Sequence, residues 1–298
     1  MRPLIICVLH SLVWLAAAPG FALGLVDDEG RAITLRAPAQ RIVSLAPGAT
    51  EMLFAAGAGP RIVATVQFAD EPAAARAIPR IGDAQAFDME RILALRPDVV
   101  VVWSSGNSAA SIERLQRLGL TLYRHKAERL SELAGSLRRM GAIAATQSVA
   151  DAAATQLDAR IQALRKNAQS ATPLQVFLQV WDHPLYTVGG QQPLSEALAL
   201  CGAHNVFADL SVPGPVVSTE AVLARAPDVV VAAAQAGQAV QWLEQWRAYA
   251  TLRATRSNNL IAFEDTSLTR VGPGAIIATE KLCRLLDAAR ARLRGVSP

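Results

Sequence analysis

Side chains able to do covalent or metal chemistry are few in this chain and stand apart from one another. Four histidines (His10, His125, His183, His204) and three cysteines (Cys7, Cys201, Cys283) are spread over 298 residues, with no CxxC pair or Cys/His cluster. A zinc site built by the protein is therefore not expected. The chain also lacks a Gly-rich phosphate loop, a nucleophile elbow and a histidine–carboxylate metal motif, which argues against an enzyme. One short loop does gather ligating groups: Trp181, His183 and Tyr186, with Pro184 between them. Imidazole and phenol both bind transition metals, although a lone loop histidine is more often a hydrogen-bonding or exposed residue and Tyr186 is equally a simple wall. Trp103 ends an apolar run and precedes Ser-Ser-Gly-Asn, which places a flat aromatic surface at a strand end. His125 and His204 read as structural.

A second chemical signal is charge placed twice in the same way. Glu90-Arg-Ile-Leu-Ala-Leu-Arg-Pro-Asp98 precedes Val99 to Val102, and Glu220-Ala-Val-Leu-Ala-Arg-Ala-Pro-Asp228 precedes Val229 to Val231. Each unit reads as a short helix ended by proline, an aspartate turn and a strand buried on both faces. Each glutamate stands at a helix start, where the helix dipole favours negative charge. The separation of the two units is too long for a solenoid repeat and fits two lobes of like design. Asp98 and Asp228 are expected to form turns rather than to act as catalytic carboxylates.

Composition narrows the class further. With 52% apolar and 18% charged residues the chain can fill a core. Its net charge of +4 is scattered, so the clustered basic footprint of a nucleic-acid binder is missing. Arg2, the apolar run from Leu4 to Ala18 and the small residues Gly20 and Ala22 read as an export signal occupying residues 1–22 and cleaved after Ala22. In an oxidising compartment Cys201 and Cys283 are an even pair. A bridge between them would close a loop of about 80 residues, worth roughly 4 kcal/mol in the chain-entropy model; the alternative is two buried thiols that never meet.

The elements that must position these groups alternate. Strands are expected at 41–45, 61–66, 98–103 and 121–123, with helices at 50–56, 87–95 and 109–118, which implies parallel sheet with right-handed crossovers. From about residue 130 to 167 proline disappears and apolar residues recur at helical spacing through Leu157, Ile161 and Leu164, predicting long helix broken near 141–146. Alternation returns after Pro173. The organisation is thus an α/β lobe over 23–128, a helical spine over 129–170 and a second α/β lobe over 171–298. Trp242 and Trp246, at i and i+4, share a helix face and are expected in the core. In open parallel sheets ligands sit beyond the carboxyl ends of the strands, so the loops there should face one cleft.

Taken together these pieces resemble the periplasmic binding proteins of metal-chelate ABC importers, which capture vitamin B12, iron siderophores and haem. The resemblance runs over nearly the whole chain after residue 22. It rests on the run from Arg41 to Glu51 with Gly57 after its helix, Ile81-Gly82, both glutamate units, the run from Cys201 to Phe207, and Arg270 ahead of Gly272-Pro273. Segments matching the family's corrinoid-binding members are Trp103 to Asn107, Val176 to Gln179, Val212-Pro213 with Pro215 and Ser218, and the Cys201/Cys283 pair. Of four aromatic positions that line the corrinoid there, only Trp103 is kept. Gln67, Ala84 and Gly214 occupy the others, with Phe68 and Phe87 close enough to substitute in part.

The resemblance implies two Rossmann-like lobes on a backbone helix, and a monomer when free. It implies capture of cobalamin or a related corrinoid, with haem or an iron siderophore as the alternative, and no cofactor beyond the transported chelate. Trp103, Phe68, Phe87, Trp181, His183, Tyr186 and Arg270 are the candidate ligand contacts. His183 or Tyr186 would be an axial ligand to iron or cobalt, and Arg270 would face an anionic group. Family members often carry a second arginine after the Gly-Pro, where this chain has Gly274. Glu90 and Glu220 would dock on arginines of a permease dimer with its ATPase subunits. The location implied is the periplasm.

Overall fold

A computed structural model describes residues 23–295; the expected export segment lies outside the described residues. The first element is a hairpin that the sequence reading did not separate from the lobe: β1 (Leu23–Val26) pairs antiparallel with β2 (Ala32–Leu35). Its turn is held by the Asp27 carboxylate, which accepts from the backbone N–H groups of Glu29 and Arg31 at 2.9 and 2.8 Å. Gly30, at φ 75°, takes the left-handed position in that turn.

The N-terminal lobe follows as β3 (Ile42–Ser44), α1 (Pro47–Ala55), β4 (Ile62–Ala64), α2 (Met89–Ala94), β5 (Val99–Trp103), α3 (Ala109–Arg117) and β6 (Leu122–His125). Its four strands are parallel in the order β4-β3-β5-β6. Two helices then form the spine, α4 (Leu133–Ile143) and α5 (Gln147–Ser170). The break between them falls where expected, with Ala145 at φ 50°. The C-terminal lobe comprises β7 (Leu174–Gln179), α6 (Pro193–Leu200), β8 (Ala203–Asn205), α7 (Thr219–Arg225), β9 (Val229–Ala233), α8 (Gln238–Arg247), α9 (Arg253–Arg256), β10 (Leu260–Phe263) and α10 (Pro273–Leu293). Its sheet, β8-β7-β9-β10, is also parallel and repeats the first lobe's order strand for strand.

The repeated units explain why the lobes match. In β5, Val99 and Val101 join an apolar cluster on one face while Val100 and Val102 join another; in β9, Val229 and Val231 part from Val230 and Ala232 in the same way. A valine run buried on both faces has no solvent side to be polar, which is why it reads as continuous rather than alternating. The aspartate before each run ties the sheet together at its base. Asp98 Oδ2 accepts from Gln40 N at 2.7 Å and Arg41 N at 2.9 Å, and Asp228 Oδ2 accepts from Gln175 N at 2.8 Å.

One apolar cluster runs from the N-terminal sheet (Ile42, Val99) through the spine (Leu137, Leu157, Ile161) into the C-terminal sheet (Val176, Val229). The spine is also pinned by polar contacts at both ends. Arg61 donates to the Ala144 carbonyl and Thr146 Oγ1 donates to Ala56 O at 2.6 Å on the N-terminal side. Arg160 on α5 grips Glu280 on α10 through two bonds of 2.8 and 3.0 Å. The 24 residues of α5 span about 36 Å, long enough to bridge both lobes. Cys201 and Cys283 form a disulfide that staples the end of α6 to α10.

Candidate functional site

In both sheets the strand order reverses between the first strand and the third, so the crevice between β3 and β5, and that between β7 and β9, are topological switch points. The mouth of the N-terminal crevice is organised by Asn107, which is buried. Its Oδ1 accepts from Trp103 N at 2.6 Å, and its Nδ2 donates to Leu45 O and Ala84 O at 3.0 and 2.6 Å. Three loops beyond the sheet are thereby fixed to one side chain. This role was missed on the sequence, where Asn107 is only the last letter of a loop motif.

Beyond these loops lie two adjoining cavities that share Trp103, Thr269 and Val271. One, of about 160 Å³, is bounded by Ala46, Ala84, Trp103, His125 and Arg270. The other, of about 520 Å³, is walled by Trp103, Gln192, Pro213 and Leu268 and so lies between the lobes. The larger space falls within the range typical of small-molecule sites. Arg270 separates the smaller cavity from a recess of about 500 Å³ containing Glu51, Glu71 and Asp265. Its Nε is buried without a partner among the described residues.

The lobes touch directly where α1 meets the start of α10. Glu51 accepts a hydrogen bond from Gly274 N. Burial pushes its carboxyl above the usual glutamate range, and the Gly274 N–H and the Arg270 charge oppose that only in part. A Cβ at position 274 would stand 2.8 Å from Glu51 Oε1, too close without a shift of the carboxylate. Gly48 is needed for the same reason: a Cβ there would meet the Val271 carbonyl oxygen at 2.9 Å.

A buried polar knot stands behind the smaller cavity. Asp28, from the hairpin turn, accepts from Tyr123 Oη at 2.5 Å and Arg139 Nε at 2.8 Å through Oδ1. Its Oδ2 accepts from His125 Nδ1 at 2.8 Å, Lys126 N at 3.1 Å and Ser136 Oγ at 2.7 Å. Burial alone would raise the Asp28 carboxyl, but the hydrogen bonds from His125, Tyr123 and Ser136 outweigh it and hold the group well below the usual carboxylate range. Burial and the Asp28 charge push the Tyr123 phenol up.

The family model for periplasmic binding proteins matches residues 42–266. The chain belongs to that family. As a periplasmic binding protein it is 35% identical over 254 residues to the vitamin B12-binding protein of Vibrio cholerae, covering 85% of this chain and 91% of that one. The vitamin B12-binding protein of Photorhabdus laumondii is 33% identical over 254 residues, 85% of this chain and 90% of its own. Among solved structures, periplasmic vitamin B12 binding protein BtuF of Vibrio cholerae aligns with TM-score 0.78 at 35% identity, over 85% of this chain and 98% of that one. The apo periplasmic heme-binding protein RhuT from Roseiflexus aligns with TM-score 0.73 at 25% identity, over 85% and 99%. The fold expected from the sequence, two Rossmann-like lobes on a helical backbone, is the fold observed.

The candidate contacts of this periplasmic binding protein fall into two sets. Trp103 and Arg270 line the cavities. Phe68 sits in the loop after β4 at φ 64° and is 73% exposed, and Phe87 packs against the outer apolar cluster of the N-terminal lobe; neither lines the two cavities. Trp181 stacks edge-on against Trp242 with ring centroids 5.8 Å apart. Tyr186 bridges Trp181 and Val216 through backbone pairing. The His183 side chain is 87% exposed, with Nδ1 3.2 Å from Asp182. His125, read on the sequence as structural, borders the cavity. Trp242 and Trp246 are buried, and Trp246 Nε1 donates to Gln179 Oε1 at 2.8 Å. Glu90 and Glu220 are exposed, each the second residue of its helix, after the capping side chains of Asp88 and Ser218. The Glu220 carboxyl is held low by its own backbone N–H and the Ser218 hydroxyl. Among the described residues no helix is long and apolar enough to cross a membrane, and no group of three His, Cys, Asp or Glu side chains is placed to hold a metal ion.

Proposed function

We propose that this protein captures cobalamin or a related corrinoid in the periplasm and delivers it to an ABC importer. The observation that carries the reading is the pair of adjoining cavities beyond the strand ends, one of them between the lobes, walled by Trp103 and bordered on the smaller side by Arg270. Relatives named for vitamin B12, matched over most of both chains, favour a corrinoid. The role needs no covalent step: the chelate enters the cleft and stays until a permease accepts the complex. The fused apolar core across the spine argues for small adjustments of the lobes rather than wide hinge opening.

Glu90 and Glu220 serve as the docking points on that permease. They occupy the same position on corresponding helices of the two lobes, are exposed, and are spared from internal ion pairs among the described residues. Replacing both by arginine abolishes transport and leaves ligand affinity unchanged; intact uptake by the double variant would overturn this assignment.

Haem is the second reading. Gln67, Ala84 and Gly214, at positions expected to be aromatic, offer less flat contact surface to a bulky corrinoid, and a heme-binding protein shares the fold at 25% identity. Titration of the purified protein with cyanocobalamin, haemin and a ferric hydroxamate, followed through tryptophan fluorescence and calorimetry, separates the readings. Absence of saturable binding to all three refutes chelate capture.

A further inference from the structure

We propose that Glu51 and Glu196 are a reciprocal pair of positioning residues, each reaching from the first helix of its own lobe to the start of the other lobe's last helix. Together they hold the cleft walls at the separation that retains ligand. The proposal rests on ligand capture as the function and adds what governs release.

The matched strand orders pair β3 with β7 and β6 with β10, so α1 corresponds to α6, and the segment leading into α4 corresponds to the start of α10. Both first helices open on proline, at Pro47 and Pro193, and carry a glutamate soon after it, Glu51 and Glu196. Glu51 accepts from Gly274 N at the second position of α10, a 21-residue helix whose N-cap, Gly272, has no side chain to cap it. A Cβ on Gly272 or Gly274 would stand 2.9 or 2.8 Å from a Glu51 carboxylate oxygen, so the two glycines leave the seat that the carboxylate fills. Glu196 does the same in the other direction. Its Oε2 accepts from Leu130 N at 2.7 Å and its Oε1 from Ser131 N at 3.3 Å, in the turn Leu130–Glu132 that runs into α4. Glu132 accepts from the two preceding N–H groups, those of Glu128 and Arg129, at 2.9 and 3.1 Å. Four successive donors are thus met by two carboxylates, one of them from the opposite lobe. Helix starts leave N–H groups unpaired and favour negative charge, which suits a carboxylate to both places.

Each contact joins facing walls of one cavity. Glu51 follows Ala46 to Ala49 in the chain and Gly274 follows Thr269 to Val271, the two sides of the smaller cavity. Leu130 follows Ala127 and Glu128, and Glu196 follows Gln192 to Leu194, on opposite sides of the larger one. The apolar core along the spine holds the lobes together, but hydrophobic contact is non-directional and does not fix how far the walls stand apart at the mouth. The carboxylate bonds have a length and a direction. Release requires the walls to part, and parting breaks both contacts in one movement.

The test reads lobe separation and release separately. Nitroxide labels on Glu113→Cys in α3 and Glu244→Cys in α8, both exposed positions, report the interlobe distance of the ligand-free protein by pulsed electron paramagnetic resonance. Stopped-flow fluorescence with cyanocobalamin or haemin, whichever the wild type binds, reports the dissociation rate. Glu51→Ala and Glu196→Ala should each broaden the distance distribution toward longer values and speed release on the order of tenfold, and the double variant should approach the product. Glu51→Gln keeps an acceptor for the Gly274 N–H and stays near wild type. If an alanine variant unfolds, Gly274→Ala displaces the Glu51 carboxylate from the other side, and Glu196→Gln keeps one acceptor of two; each should still widen the distribution. Asp98→Ala is the matched control: it takes a carboxylate from two backbone N–H groups inside one lobe, so it costs stability and leaves distance and release unchanged. A wild-type distance distribution in the double variant, release no faster than wild type, or equal broadening in Asp98→Ala overturns the proposal. Failure of wild type to bind either chelate counts against capture, while the ligand-free distances still decide whether the two glutamates set the lobe separation.

Discussion

Asp28 concentrates more polar interaction than any other side chain described here, and its removal should be costly in a defined way. Five donors converge on it within 2.5 to 3.1 Å, one of them the Arg139 guanidinium, and its side chain is 1% exposed. Asp28→Ala leaves the buried Tyr123 and His125 and the partly exposed Arg139 without their common acceptor, and losing several hydrogen bonds to a charged group costs on the order of 3 to 5 kcal/mol. For a chain of this size each kcal/mol lowers the melting temperature by roughly 2 to 4 °C, so the fall should be about 6 to 20 °C. Tyr123→Phe removes one donor and should cost about 1 kcal/mol. The pH dependence has a fixed sign. A carboxyl whose folded pKa is depressed stabilises the fold above its unfolded pKa, near 4, and that stabilisation is lost as pH falls through the lower folded value. The gap between wild type and Asp28→Ala should therefore narrow as pH falls below about 4. Thermal unfolding followed by circular dichroism at several pH values reads it. A gap under 1 kcal/mol at pH 7, or one that widens as pH falls below about 4, would refute the reasoning.

Glu51 should show the opposite linkage: burial raises its folded pKa, so ionising it costs stability as pH rises from the unfolded value through the folded one. Glu51→Gln should then melt progressively higher relative to wild type between pH 4 and 7, and a constant difference would contradict this. At Gly214 a Cβ meets nothing within 4 Å, and the neighbouring Pro213 lines the larger cavity. Gly214→Trp should tighten cyanocobalamin binding on the order of tenfold by returning aromatic area to the cleft; weaker binding by calorimetry would mean the side chain blocks entry. Cys283→Ser opens a loop of 82 residues and should lower stability by about 4 kcal/mol in the chain-entropy model, read as a shifted denaturant midpoint with unaltered ligand affinity.

Much of the fold was legible because its signals are local. The valine runs, the helix starts at Glu90 and Glu220 and the spine's periodicity depend on residues within a turn or two of one another. The hairpin of β1 and β2 was missed because two four-residue strands carry little periodicity, and its importance comes from the turn residue Asp28 rather than from the strands. Among candidate contacts, Trp103 and Arg270 were found from the ends of strands and a family pattern. The loop of Trp181, His183 and Tyr186 looked chemically richer than His125, yet it lies outside the cavities that His125 borders.

The amino-acid sequence by itself pointed to two lobes of like design, a helical spine and an even cysteine pair, since each follows from residue types along the chain, whereas the matching strand order came only with the structure. The tertiary structure alone decided that Asp28 meets His125 across 97 positions and that Glu51 meets Gly274 across 223. Those meetings depend on how rigid elements pack around a shared core, and pattern along the chain carries no record of which side chains that packing will bring face to face.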